Sequence, residues 1–475
     1  MSIIEMDEKR VPMMRMYLSM ALPVVLSMVT AMVYNIADTW FISATGITDL
    51  IAGVSLNAPV LTILMAFGNI FGQGGSTLIS RLTGQKNTAD ALRVSSVCFY
   101  LSIAAGLIAG IVMLIFKAQF LHILGADQET MEYASAYYTV LAIGAVFIVA
   151  SFIPTNLLRA EGLSKEAMFE SIGGTVLNII LDPIFIFVFD LGAAGAAIAT
   201  VLGYVFMDVY GVIIINKKSR LLSVSLRKAK TTRGNLGQIF GIGIPAAITN
   251  VMTSVSTILL NQFLLPYGND MIAAMGIALK VALIGQLVLV GLTFGALPLF
   301  GYYFGGNRKE KFMELFRFCL RFVCITALAF TAVLFAASKL LIRFFVEDAS
   351  LISAGTLMLR LQVIALVFAG IVLLLTIVFQ SMGRMKEMFL LSVSRQGVVF
   401  LIVLFIASFI GGYYGIIAAQ AIADVLSAAL AAAMFIHMKK TYTWPSDQKN
   451  SVMSENASVS EQTDSAGRRL SQNRC

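Results

Sequence analysis

Gly162-Leu163-Ser164-Lys165-Glu166 and Gly383-Arg384-Met385-Lys386-Glu387 are two copies of one joint, 221 residues apart. Each places a glycine, a basic residue and a glutamate between two long apolar runs. That is how one helix stops and the next starts. The offset recurs on both sides. Pro23 pairs with Pro245, Gly68 with Gly291, Gly72 with Gly295, Gly84 with Gly306, Asp127 with Asp348 and Gly195 with Gly415. The drift is small and the matches run through six apolar segments, so the chain reads as a duplicated six-helix unit.

Of the 475 residues, 58% are apolar and 13% are charged. The charged share is about half that of a soluble domain. Apolar segments run almost without a break from about residue 16 to 437, more than a soluble core can bury, so lipid must cover them. A soluble enzyme and a nucleic-acid-binding module are excluded. At about 20 residues per span, twelve helices are expected: 16–42, 50–80, 92–116, 132–157, 166–189, 191–216, 237–265, 271–301, 315–337, 352–380, 388–410 and 412–437. The runs are too long for strands and lack their alternation.

The fold expected is therefore an all-α membrane protein, with two six-helix bundles related by a pseudo-two-fold axis. Residues 1–15 form an N-terminal segment and 16–216 the first lobe. Residues 217–236 form a basic linker, 237–437 the second lobe and 438–475 a disordered tail. Six is even, so both copies insert the same way up, and a cleft lies between them. Rocking one lobe against the other gives alternating access, which favours a secondary transporter over a channel or receptor.

Basic residues set the orientation. Joining segments on one side carry Arg81, Lys86, Arg93, Arg159, Lys165, seven basic residues within 217–233, Arg308, Lys309, Lys311, Arg384 and Lys386; the other side offers Lys117, Lys339 and Arg343. The positive-inside rule puts both termini in the cytoplasm of a bacterial-type plasma membrane, and accounts for most of the net charge of +8.

Several chemistries lack material. The run Gly72-Gln73-Gly74-Gly75-Ser76 has no phosphate-loop lysine. The only histidines are His122 and His437, and Cys98, Cys319, Cys324 and Cys475 show no disulfide framework. No cofactor, metal site or cleavable leader is expected, and the protein is expected to work as a monomer. The 24 Met and 33 Phe residues fit either ordinary span composition or a pliable pocket for varied apolar ligands.

Charges within spans are functional candidates. Asp38 has Asn35 on its helix face, and Asp182 has Asn178 on its own, next to Pro183, which should distort the fifth helix. The preferred reading is a shared H⁺ or Na⁺ site at Asp38, Asn178, Asp182 and Asn35, against two unrelated polar residues near span ends. Their counterparts in the second copy are not acidic. Lys280, its counterpart Asn57, Tyr34 and Gln286 are the candidates for the substrate cleft, with snorkelling the alternative for Lys280. Arg360 and Arg395 read as snorkelling residues, and Asp208 and Asp424 as packing groups.

The stretches Asn35-Ile36-Ala37-Asp38-Thr39-Trp40-Phe41-Ile42, Leu158-Arg159-Ala160-Glu161-Gly162 and Asn178-Ile179-Ile180-Leu181-Asp182-Pro183-Ile184-Phe185 resemble the multidrug and toxin extrusion (MATE) family of secondary transporters. So does the run from Gly291 to Gly305, and the resemblance covers roughly residues 15–437. It implies export of organic, often cationic, compounds in exchange for inward-moving H⁺ or Na⁺, with the first-lobe cation site at Asp38, Asn178 and Asp182. Some branches also keep acids in the seventh and tenth helices. Here those helices offer Asn250, Asn261, Gln262 and Gln362 instead, and Tyr204 stands where Gln is expected. The competing function is a lipid-linked saccharide flippase of a related fold. It would favour a cleft dense in Arg and Lys.

Overall fold

The computed structural model describes residues 3–346, 348–442 and 444, and every regular element among them is helical. Ten spans follow in order: Met13–Ser43, Thr48–Gly84, Thr88–Ile115, Met131–Glu161, Ser164–Val188, Gly192–Lys218, Arg233–Tyr267, Asn269–Gly305, Lys309–Arg343 and Ala349–Met382. The segment after them, Met385–Thr441, is continuous over 57 residues. A straight helix of that length would measure roughly 85 Å, far more than a bilayer. It folds back at Gly412, whose φ of 51° and ψ of −128° are not helical. Gly415 packs on the Ala407 carbonyl beyond the turn. Residues 385–411 and 413–441 are therefore the eleventh and twelfth spans, and the protein is two bundles of six helices.

Left-handed backbone marks the duplication again. Gly46 and Gly268, Lys86 and Asn307, Gly162 and Gly383, and Gly192 and Gly412 all have positive φ at nearly the same offset. Pro183 disturbs the fifth span as its ring requires, and a π-helical stretch follows at Ile184–Val188.

Helical structure extends past the expected spans at both ends of the membrane domain. A short helix, Ile3–Glu8, precedes the first span and buries Ile3 and Met6. The last span runs on to Thr441, and Trp444 is buried against Phe304 and Phe312. Ordered chain thus continues beyond 438; of the expected tail, residues 443 and 445–475 lie outside the described residues.

The bundles meet at the end that carries most of the Lys and Arg. There the first span packs on the eighth, and the second on the seventh and eighth. Gly243 lies directly on the Ile70 carbonyl, an approach that leaves no room for a side chain. Polar groups bridge the same seam. Arg81 donates to Gln238 at 2.9 Å, and Gln380 to Thr77 at 3.1 Å.

The first span belongs to both bundles. Met16, Tyr17, Met20 and Ala21 are buried in the core of the second bundle, and the Tyr17 hydroxyl donates to the Leu292 carbonyl at 3.2 Å. In the helix before it, the Asp7 carboxylate accepts from Lys311 at 2.6 Å, from Tyr302 at 3.1 Å and from Arg308. Burial works against the charge of Asp7, but Lys311 and Arg308 outweigh it and hold the carboxyl below its ordinary range. A cavity lies between the bundles, lined by residues of both.

Candidate functional site

The cavity has a volume of about 690 Å³, within the range of small-molecule sites. Residues 27, 28, 31, 34 and 35 of the first span face it as one helical stripe. Met28, Met65, Met207 and Met388 line it together with Phe152 and Phe294. Such side chains reshape around ligands of different outline. The second lobe contributes amides, among them Asn250, Gln286, Gln380 and Gln396.

Among the described residues, the only charged ones in the lining are Arg159 and Arg395. Both have acids behind them. Arg395 Nε donates to Asp424 at 2.8 Å, and Gln420 donates to the same oxygen at 3.1 Å. Arg159 lies one helical turn from Thr155, whose hydroxyl donates to Glu170 at 2.6 Å.

The first-lobe acids form a second layer behind the wall. Asp182 is fully buried and Asn178 nearly so. Asn178 Nδ2 lies 3.5 Å from Asp182 Oδ1 and 3.4 Å from Thr200 Oγ1, and Tyr34 Oη is 3.4 Å from the same hydroxyl. Asp38 is near enough for its charge to act on Asp182 and on Tyr34. Three buried oxygens here find no hydrogen-bond partner among the described residues: Asp38 Oδ1, Asn178 Oδ1 and Asp182 Oδ2. Buried acceptors are ordinarily satisfied. Two carboxylates and an amide oxygen without donors make an arrangement suited to a small cation or a proton.

Of the sequence candidates, Tyr34, Asn35, Asn178 and Gln286 line the cavity, and Asp38 and Asp182 stand behind it. Two cleft candidates must be corrected. Asn57 is fully buried away from the cavity, where the second span breaks between Ser55 and Ala58. Its amide donates at 2.9 Å to the Gly53 carbonyl, which the break frees, and at 3.2 Å to the Ala134 carbonyl of the fourth span. Lys280 is exposed and outside the cavity lining. Arg395 does not snorkel, because Asp424 holds it. Arg360 donates to Ser338 at 3.0 Å and lies over the Phe335 ring.

Sequence reasoning missed Thr200, Thr155, Glu170 and the inward position of Arg159. Arg159 had been placed in a joining segment, but the fourth span runs on to Glu161. Thr200 carries no charge to announce it.

The MatE family model matches residues 23–184 and again residues 245–406, one copy per bundle. The chain belongs to the MatE family. Multidrug export protein MepA of Staphylococcus aureus (strain MRSA252) is 33% identical over 427 residues, covering 90% of this chain and 94% of its own. MepA of Staphylococcus saprophyticus is 32% identical over 418 residues, 88% of this chain and 92% of its own. A solved MOP superfamily transporter from Pyrococcus furiosus matches with a TM-score of 0.83 at 25% identity, covering 90% of this chain and 96% of that one. An outward-facing conformation of a multidrug resistance MATE family transporter matches with a TM-score of 0.85 at 24% identity, covering 91% and 98%; that likeness concerns the fold. This MatE protein is a multi-pass membrane transporter and not an enzyme.

Proposed function

We propose that this MatE protein exports organic, often cationic, compounds across a bacterial-type plasma membrane in exchange for inward-moving H⁺ or Na⁺. Both termini and the basic seam lie in the cytoplasm, and the cavity opens outward. The observation that carries the reading is the group of unpartnered oxygens on Asp38, Asn178 and Asp182, placed behind one wall of a Met- and Phe-lined cavity. The multidrug export role of the MepA relatives supports the substrate class.

With the cavity open outward, the external ion loads the acid pair. The loaded pair must favour one arrangement of the first and fifth spans over another, because an ion bound equally by both states shifts nothing. The helical irregularity after Pro183 gives the fifth span a place to bend, next to Asp182 itself. The substrate leaves as that wall changes shape, and the emptied cavity turns inward.

A flippase reading is disfavoured, since the cavity lining holds only two guanidinium groups, both backed by carboxylates. Proteoliposomes holding the full chain and a fluorescent organic cation test the proposal. An imposed ΔpH or ΔNa⁺ should drive transport, and no transport under either gradient would sink the coupling.

A further inference from the structure

The coupling reading leaves Glu170 unused. It lies on the fifth span twelve residues before Asp182, roughly 18 Å nearer the basic end, and is fully buried. Its Oε1 accepts from Thr155, while Oε2 has no partner among the described residues. The sixth span brings Asp208 to the same place. Gly211 is one turn along from Asp208 on the same helix face, and a Cβ there would lie 3.2 Å from Glu170 Cδ. Asp208 is 9% exposed, and neither carboxylate oxygen has a partner among the described residues.

The surrounding charges are few. From the fourth span comes Arg159, whose charge reaches Glu170, as does that of Asp208. One turn nearer the basic end, Glu166 pairs with Lys218 at 3.1 Å, so those two cancel. Two carboxylates therefore lie together with one guanidinium, Arg159, beside Glu170. If both were ionised, a net negative charge would sit in an apolar interior, which is costly. One retained proton makes the cluster neutral and supplies an O–H where the structure shows only acceptors.

We propose that Glu170, beside Arg159, and Asp208 form a second proton site in the inner half of the first lobe, which holds one proton at neutral pH and exchanges it with the cytoplasmic side. Its place in transport rests on the coupling reading above, as the step after release from the Asp38 and Asp182 pair; its protonation does not. The chemistry is the making and breaking of a carboxyl O–H bond, with the proton passing to cytoplasmic water at Arg159 once the cavity has turned inward.

Infrared difference spectra of the full chain test this, read at the carbonyl stretch of a protonated carboxyl. In an Asp38→Asn/Asp182→Asn background the outer pair is silent. A protonated-carboxyl band should persist at neutral pH and should lose a component on adding either Glu170→Gln or Asp208→Asn. Glu170→Gln retains a carbonyl acceptor for Thr155, and Asp208→Asn is an independent variant should the first fail to fold. A band unchanged by both substitutions in folded protein overturns the proposal. Loss of that component in a chain whose parent shows no gradient-driven transport would overturn the coupling reading while leaving the proton site standing.

Discussion

At Gly174 the fifth span lies so close to the sixth that a Cβ would meet the Gly203 carbonyl at 2.7 Å. In the second lobe the counterpart of Gly174 is Arg395, and it reaches Asp424, the counterpart of Tyr204, at 2.8 Å. One lobe closes this helix pair with backbone, the other with an ion pair. The contrast extends through both interiors. The first lobe holds Asp38, Glu170, Asp182 and Asp208 in its interior with one guanidinium, Arg159, beside Glu170, and all four acids carry oxygens without a partner among the described residues. Among the described residues, the buried acid of the second lobe is Asp424, and Arg395 balances it. Duplication preserved the helical frame, while the buried charge diverged into one lobe whose acids outnumber their partners and one whose acid is paired.

The sharpest break of this comparison is at the outer pair. Asp38→Asn and Asp182→Asn should each lower gradient-driven export by about 100-fold or more, since the ion then loses its preference for one conformation. Folding should survive, and substrate binding should remain measurable. Near-parental pumping by both variants in proteoliposomes would mean that coupling does not depend on the acidic lobe.

In the second lobe the effect should fall on stability. Asp424→Asn leaves Arg395 buried without its counter-charge, a cost of about 3–5 kcal/mol, seen as a lower thermal unfolding midpoint. Replacing both residues with apolar ones of similar volume should recover most of that loss, and the variants that fold should still respond to the ion gradient. Loss of coupling in the folded double variant would show that the second lobe carries ion chemistry after all.

At the seam joining the lobes, Asp7→Asn should cost about 2 kcal/mol, read as faster hydrogen exchange over residues 3–8. The pH dependence has a definite sign. The carboxyl of Asp7 is held below its ordinary value of 3.8, so its contribution is complete above that value and fades as pH falls through the lowered one. Docking of the short helix should therefore not vary between pH 5 and 8. Undocking within that window would mean that another group controls the seam.

The smallest effect is expected at Lys280. Because it is exposed and outside the cavity lining, Lys280→Ala should leave the ranking of cationic and zwitterionic substrates unchanged, within about 0.5 kcal/mol. A changed ranking would place Lys280 at the cavity in another conformation of the cycle.

The frame was legible in the sequence because lipid demands long apolar helices and because the glycines and prolines repeat. The fold-back at Gly412 coincides with the boundary drawn between the last two spans. The outer acids were legible as carboxylates with amides one turn away. Asn57 misled because an amide at a helix break satisfies local backbone, and sequence position alone does not separate that from facing a cleft. Glu170 escaped because it stood four residues inside an expected span end, whereas the helix begins at Ser164 and tertiary packing seals the glutamate fully. Unpartnered oxygens are a property of three-dimensional surroundings and leave no trace in residue spacing.

The docked N-terminal helix also constrains the order of events during synthesis. Asp7 is made at the outset, but its partner Arg308 follows 301 residues later. At about 5–20 residues per second, that is a wait of roughly 15–60 s. The first span must enter the membrane without the eighth span that will cover Tyr17 and Ala21, sustained by its own apolar side chains. The Asp7 contacts of the helix at residues 3–8 can form only once the eighth span and the joint after it have been made, so its docking reports that synthesis has entered the second lobe.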